Sequence, residues 1–298
     1  MGREVKEDGC ISVFFHVLDE VYTAAMNPSP TLRIVFLGSG SSGNSAAITD
    51  GETTLLLDCG FSAREISKRL TGSGISPESV SAILVTHEHS DHVRGIDVFT
   101  RRHAPGCVVV ATAGTLRAPE FAALTADRRE IRSGQTMRVG TLNVVAFRTS
   151  HDAVQPVGYR VDIDGDSVGV TTDTGVLTEE AAEALSGVRV LGIESNHDLH
   201  MLERGPYPAF LKHRIRSARG HLSNSDAADA LERLATERLE QVFALHRSST
   251  NNTATLAGAL LRDRAQRLGL TVPVTVASQT TACDSCATFM TEAPSRST

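Results

Sequence analysis

The chain has 298 residues, 41% of them hydrophobic and 21% charged. That balance excludes a disordered or fibrous protein, and a chain this long can bury roughly 75% of the surface it exposes when unfolded. A formal net charge of −6 excludes coating of nucleic acid by bulk electrostatics but leaves room for a local basic patch.

Five scattered cysteines (Cys10, Cys59, Cys107, Cys283, Cys286) are an odd number in a long chain, unlike a disulfide-stapled secreted domain. The apolar run 11–18 is broken by His16 and followed by Asp19 and Glu20, too short for a membrane span or a signal peptide. A cytoplasmic protein with no membrane partner is expected. Residues 1–30 lack periodicity and end in Asn27-Pro28-Ser29-Pro30, so an N-terminal extension, poorly ordered, is expected there.

From Leu32 onward short β-rich runs follow one another at 32–37, 45–49, 53–58, 82–86, 107–111 and 142–147. Ser62-x-x-Glu65 has the form of a capping box opening a helix toward Leu70, stopped by Gly72 and Gly74. Asp164-Gly165 predicts a hairpin between the runs 157–163 and 167–172. A helix over 177–185, a strand over 188–194, a helix from Asn224 to about Leu239 and a strand over 241–246 come next. A helix near Thr253 to Leu268 and a strand over 271–277 complete the pattern, before a polar tail over 279–298. Each half begins with hairpins and continues as β/α units. That is compatible with one domain over 31–278 built as an αββα sandwich of two mixed sheets with helices on both outer faces, and periodicity alone also admits a doubly wound α/β sheet.

Gly38-Ser39-Gly40-Ser41-Ser42-Gly43 fits the dinucleotide fingerprint, with Asp58 about 20 residues on. The fingerprint needs a helix to open at its third glycine, whereas strand, tight turn and strand follow here. The glycines therefore read as a loop, and no nicotinamide cofactor is expected.

The chemistry is concentrated in His87-Glu88-His89-Ser90-Asp91-His92, an H-x-H-x-D-H motif at the end of the run 82–86. His87 and His89, two residues apart at a strand end, point the same way, while Asp91 and His92 on the following turn can face a second point. Imidazole and carboxylate without thiolate suit zinc, manganese or iron rather than a closed structural zinc site. Further donors stand where later strands end: His151, Asp173 and His246. Asp173 is the bridging candidate, His151 completes the first set and His246 the second, for two divalent ions such as Zn2+ or Mn2+. A lone histidine at a strand end is more often structural; conjunction with the motif is what makes these three candidates.

THEHSDH together with His151, Asp173 and His246 resembles the metallo-β-lactamase superfamily. FLGSGSSGNS, LLLDCG, SHDAVQP, TTDTG, ESNHD, GPYP, KHRIRSARGHLSN and LHRSSTNN, in this order over about 32–277, narrow the resemblance to the WalJ/YycJ/VicX family. Cys59 and Arg247 depart from its pattern, at positions not proposed as ligands. The resemblance implies an αββα fold, a dinuclear centre and a phosphodiesterase acting as a 5′-to-3′ DNA exonuclease, with hydroxide held between two cations as nucleophile. It also implies catalytic roles for Asp91, for His221 as proton donor and for Glu194 as the group that positions His221. Ser223 joins His221 among the substrate contacts; the other reading of this stretch is that Ser223 or Asn224 caps the next helix and leaves His221 a bystander.

Lys212, His213, Arg214, Arg216 and Arg219 form a basic cluster that suggests a track for the phosphates of a nucleic-acid partner, DNA in the first instance. Tyr207 and Phe210 could offer stacking surfaces, with core packing the expected fate of Phe210. Cys283 and Cys286 would be half a zinc site, but no second pair follows. The competing functions are a PhnP-type cyclic phosphodiesterase on small molecules, hydrolysis of β-lactams, lactones or thioesters, and a non-catalytic regulator on the same fold.

Overall fold

A computed structural model describes residues 32–286, so the expected extension over 1–30 lies outside the described residues. The first half contains β1 (Arg33–Gly38), β2 (Ser45–Thr49), β3 (Thr54–Leu57), α1 (Ala63–Gly72), β4 (Val80–Leu84), α2 (Ser90–Val93), α3 (Ile96–Arg102), β5 (Val108–Ala111), α4 (Ala113–Leu116) and β6 (Arg128–Glu130). The second contains β7 (Thr136–Val139), β8 (Leu142–Arg148), β9 (Val157–Ile163), β10 (Asp166–Thr171), α5 (Glu179–Leu185), β11 (Val190–Glu194), α6 (Leu199–Arg204), α7 (Ala209–Arg216), α8 (Asn224–Leu234), β12 (Gln241–Leu245), α9 (Ala254–Arg267), β13 (Val274–Val276) and β14 (Cys283–Asp284). Among the described residues no helix is long and apolar enough to cross a membrane.

Two mixed seven-stranded sheets result, in the orders β14-β1-β2-β3-β4-β5-β6 and β13-β12-β11-β10-β9-β8-β7. The period-2 alternation of apolar side chains explains why they pack face to face. Ile34, Phe36, Leu55 and Leu57 of the first sheet meet Val144, Ala146, Phe243 and Leu245 of the second in one core. The intervening Val35, Leu37 and Leu56 turn outward onto Ile66, Leu70 and Phe99 of α1 and α3. On the far side Leu191, Ile193, Val242 and Ala244 receive Leu185, Leu231 and Leu261 of α5, α8 and α9. Burial on both faces of both sheets decides for the αββα sandwich over the doubly wound alternative.

Several local expectations change. Ser62 caps α1 by accepting from the Glu65 N–H, but Glu65 pairs with Arg69 instead of reaching back, so only half of the capping box forms. The helix expected to run to about Leu239 ends at Leu234, because Leu239 leaves the helical path to be buried in the same core. β6 is polar throughout, and β7 is only four residues long, its Met137 and Val139 alternating with Thr136 and Arg138 and packing against the core. Residues 283 and 284, placed in the polar tail, pair antiparallel with β1 at Phe36 and Val35, so sheet structure continues beyond residue 278. Of the fingerprint glycines, Gly38 ends β1, and Gly40 and Gly43 lie in the turn to the antiparallel β2, with no helix opening there. At the β9–β10 hairpin Asp164 and Gly165 both take positive φ, 39° and 86°, as the two-residue turn requires.

Candidate active site

The candidate residues stand just beyond the ends of strands from both sheets. His87 follows β4, His151 follows β8, Asp173 follows β10 and His246 follows β12. Glu194 is the last residue of β11. At two of these ends, and at Asp58 just after β3, the backbone is forced into the left-handed region on a non-glycine residue: Asp58 (φ 55°), Asp173 (51°) and His246 (50°). Each such conformation costs of order 1–3 kcal/mol and persists only where the surroundings over-determine it.

The structure brings together the seven side chains expected as ligands. One group of donor atoms, from His87, His89 and His151, lies within 4.8 Å, and so does a second, from Asp91, His92 and His246. Asp173 touches both groups, with Oδ1 3.8 Å from His151 Nε2 and 3.4 Å from His246 Nδ1, and Oδ2 3.3 Å from His92 Nε2. His87 Nε2 and His89 Nδ1 are 3.0 Å apart. Two nitrogens on one tetrahedral cation at about 2.0–2.1 Å would sit roughly 3.3 Å apart, so this spacing suits a shared ion. His246 Nε2 is buried without a hydrogen-bond partner, an orphaned donor atom that a cation would satisfy. The donor set of imidazole and carboxylate thus fits a hard or borderline divalent ion, and Cys283 and Cys286 take no part in the donor groups found among the described residues.

Sequence reasoning missed the groups that hold this cluster. Asp58, cited only for the rejected fingerprint, is 2% exposed. Its Oδ2 lies 2.7 Å from His92 Nδ1 and accepts the Thr86 hydroxyl at 2.9 Å, while Oδ1 accepts the Thr86 N–H at 2.8 Å. The carboxylate fixes the His92 ring with Nε2 turned to Asp173, a usual arrangement behind ligating histidines. Asn44 donates to Asp91 Oδ2 at 3.3 Å. Glu88, the variable residue of H-x-H, accepts the Val154 N–H at 2.7 Å and ties the loop after His151 to the motif. Gly60 is needed because a Cβ there would lie 1.7 Å from the Asp91 carbonyl oxygen. A carboxylate closing an apolar strand, as in LLLD, was the one signal available.

Burial opposes the charged form of His92, but Asp58 and Asp173 outweigh it and hold its pKa well above the ordinary value. His87 is driven the other way, by burial and then by the neighbouring His92. Burial opposes ionisation of Glu194 too, yet His221 and His246 bring its pKa down to about 2.

Glu194 Oε1 sits 2.8 Å from His221 Nδ1 and 2.9 Å from His246 Nδ1, and its Oε2 accepts the N–H groups of Thr174 at 2.9 Å and Leu222 at 3.2 Å. The carboxylate therefore joins His221 to the donor cluster, with His221 Nδ1 3.7 Å from Asp173 Oδ1. His221 also lines a cavity of about 200 Å³ with Tyr207, Leu211, Arg214, Ile215 and Asn196.

The other substrate candidates fare differently. Ser223 is corrected: 1% exposed, its hydroxyl is consumed in the capping box of α8, accepting from the Asp226 N–H, so it cannot face a substrate. Both descriptions of this stretch hold at once, since Ser223 caps the helix while His221 faces the cluster. Arg214 reaches the cavity but is paired with Asp152. Lys212 donates to the Glu203 carbonyl. Arg216 is exposed, and Arg219 donates to the His151 carbonyl at 3.3 Å, lining a different cavity. Phe210 is also corrected: it is 75% exposed on α7, a helix with no buried residue.

Residues 53–246 match the Beta-lactamase superfamily domain. The chain is 37% identical over 226 residues to the exodeoxyribonuclease WalJ of Streptococcus pneumoniae serotype 2, covering 74% of this chain and 83% of that protein. It is 34% identical over 229 residues to the exodeoxyribonuclease YycJ of Bacillus anthracis, covering 76% and 86%. Among solved structures it resembles the metallo-beta-lactamase fold protein YhfI from Bacillus subtilis, with a TM-score of 0.63 at 15% identity over 85% of this chain and 99% of that one. A diphosphatase from the PhnP family superposes with a TM-score of 0.60 at 15% identity, covering 85% and 97%; at such identity both likenesses speak for the fold alone. The two sheets, the donor cluster at their strand ends and these sequence relationships agree: the chain belongs to the metallo-β-lactamase superfamily of metal-dependent hydrolases, within the family of WalJ and YycJ.

Proposed function

We propose that the chain is a dinuclear phosphodiesterase that digests DNA from an end, with the 5′-to-3′ polarity that its family resemblance implies. The observation that carries this proposal is the meeting of two donor groups at Asp173, with His221 backed by Glu194 against the same point. His87, His89 and His151 would hold one cation, Asp91, His92 and His246 the other, and Asp173 both. A pair of divalent ions so held supplies Lewis acidity, making hydroxide available near neutrality and offsetting charge on a phosphoryl oxygen.

The remaining work falls to the protein. His221 commits Nδ1 to Glu194, leaving Nε2 to give a proton to the oxygen that departs as the P–O bond breaks. Burial lowers the affinity of this ring for a proton, but Glu194 and Asp173 more than compensate and raise its pKa, so the acid form is available near neutral pH. Tyr207, on the wall of the 200 Å³ cavity, supplies a ring for a base, while Arg214 beside it is already paired with Asp152. The names of the relatives WalJ and YycJ, both exodeoxyribonucleases, support DNA as the polymer.

The size of that cavity also favours a second substrate class, a small cyclic phosphodiester. Metal-reconstituted protein assayed side by side on 5′-phosphorylated DNA, RNA, a cyclic nucleotide and a thioester separates these. DNA digestion to mononucleotides is expected; turnover of the cyclic nucleotide without DNA digestion would replace the nuclease by the small-molecule enzyme, and turnover of the thioester alone would overturn both.

A further inference from the structure

A second cavity, of about 340 Å³, also reaches His151 and is lined by Arg148, Thr149, Ser150, Gln155 and Arg219. Its two guanidinium groups differ from that of Arg214. Arg214 is neutralised by Asp152, whereas neither Arg148 nor Arg219 forms an ion pair among the described residues. The Arg148 side chain makes no hydrogen bond there either. Glu180 approaches this wall but accepts from the Arg148 backbone N–H and from the Ser133 hydroxyl, leaving the guanidinium free. Among the described residues no carboxylate lines the cavity.

Its rim is prefixed. The Val154 N–H is bound to Glu88, Gln155 accepts the Gly114 N–H at 2.9 Å through its side chain and the Thr112 hydroxyl at 2.8 Å through its carbonyl, and the Val157 N–H is bound to the Thr86 carbonyl. A Cβ at Gly114 would come within 2.7 Å of Gln155, so the wall is packed tightly from behind. On a chain of net charge −6, two cations without an ion pair among the described residues, on a rigid concave wall that includes His151, are a site for an anion.

We propose that this cavity, through Arg148 and Arg219, binds backbone phosphate of the nucleic-acid strand beyond the nucleotide being hydrolysed, so that the polymer runs past His151 while a single nucleotide occupies the cavity beneath α7. This rests on the nuclease proposal and adds to it a polymer-binding site with Arg148, a residue outside the basic cluster 212–219, as its cation.

The test uses Arg148→Ala and Arg148→Glu in the full chain, read by binding of a single-stranded DNA decamer followed by fluorescence anisotropy without cleavage-supporting metal, and by turnover of the metal-loaded enzyme. Turnover is measured on the decamer and on bis(p-nitrophenyl) phosphate, which is too short to span both cavities. Arg148→Glu is expected to weaken decamer binding about tenfold or more, and Arg148→Ala to lower the slope of log affinity against log salt by roughly 0.7, the value for one phosphate contact on a single strand. Turnover of the small diester should stay at the wild-type level. Decamer binding unchanged in both variants would overturn the inference while leaving the nuclease intact, and so would an equal loss on both substrates, which would mean that Arg148 shapes the centre itself. A wild-type chain that turns over the small diester but neither binds nor cuts the decamer would overturn the nuclease proposal, and this one with it.

Discussion

The donor cluster and the arm that faces it, residues 199–219, are held in different ways. His87, His92, His151, Asp173, Glu194 and His246 are all at most 5% exposed, and several rings have both a facing partner and a second group behind them, as His92 has Asp58. The arm carries α7, which buries no side chain, and is tied to the body by contacts such as Arg214 with Asp152 and the Ser150 hydroxyl with the Ala218 carbonyl. A centre that must present several atoms to one or two points needs preorganisation, and left-handed backbone at Asp58, Asp173 and His246 is part of its cost. A surface that meets a flexible polymer needs charge and reach, so exposed cations and an exposed ring suffice.

That contrast predicts that substitutions fall off steeply in effect from cluster to arm. Asp173→Ala removes the group shared by both donor sets and should lower kcat by roughly 1,000-fold or more. Bound metal measured by mass spectrometry should fall with it, while the circular dichroism spectrum stays native. A variant retaining both ions and a tenth of the activity would end the bridging assignment.

His221→Ala should retain metal and lose roughly 100-fold or more in rate. The pH profile gives a sharper check. The ring acts as an acid, and its pKa is raised, so the wild-type rate should decline as pH rises through that value; the variant should lack this alkaline limb. A fully active variant would remove the proton-donor role.

Asp58→Asn leaves every proposed ligand in place and should cost roughly 10- to 100-fold in metal affinity, with activity restored by excess metal. Unaltered affinity in a metal-buffered titration would show that His92 needs no partner behind it. Phe210→Ala should leave the melting temperature unchanged, since its ring is solvent-exposed, and raise KM for an oligonucleotide roughly fivefold by loss of about 1 kcal/mol of stacking. Destabilisation would instead mean that the ring packs against the body.

Much of the fold was legible because each strand is short, apolar and bounded by turn residues, and the hairpin at Asp164-Gly165 needs little beyond its own two residues. The strands β6, β7 and β14 were not, since each is only two to four residues long, too short to show a pattern of its own, and is held by pairing with one neighbour. At the site, H-x-H-x-D-H declared itself, and His151, Asp173 and His246 could be nominated from their places at strand ends. Ser223 and Phe210 were misjudged for one reason: a hydroxyl next to a helix start and a phenyl ring in a basic stretch each have two plausible environments, and local sequence does not choose between them.

The sequence by itself determined which donor atoms this protein can offer and in what order, because imidazole, carboxylate and strand-end spacing are properties of the residues and their neighbours. Only the tertiary structure decided what stands behind those donors and what stands open beside them: Asp58 on His92, Glu88 on the Val154 N–H, Glu194 between two histidines, and Arg148 unpaired in its cavity. Orientation, neutralisation and exposure depend on groups far apart in the chain, and only the packing of two sheets against each other brings those groups within reach.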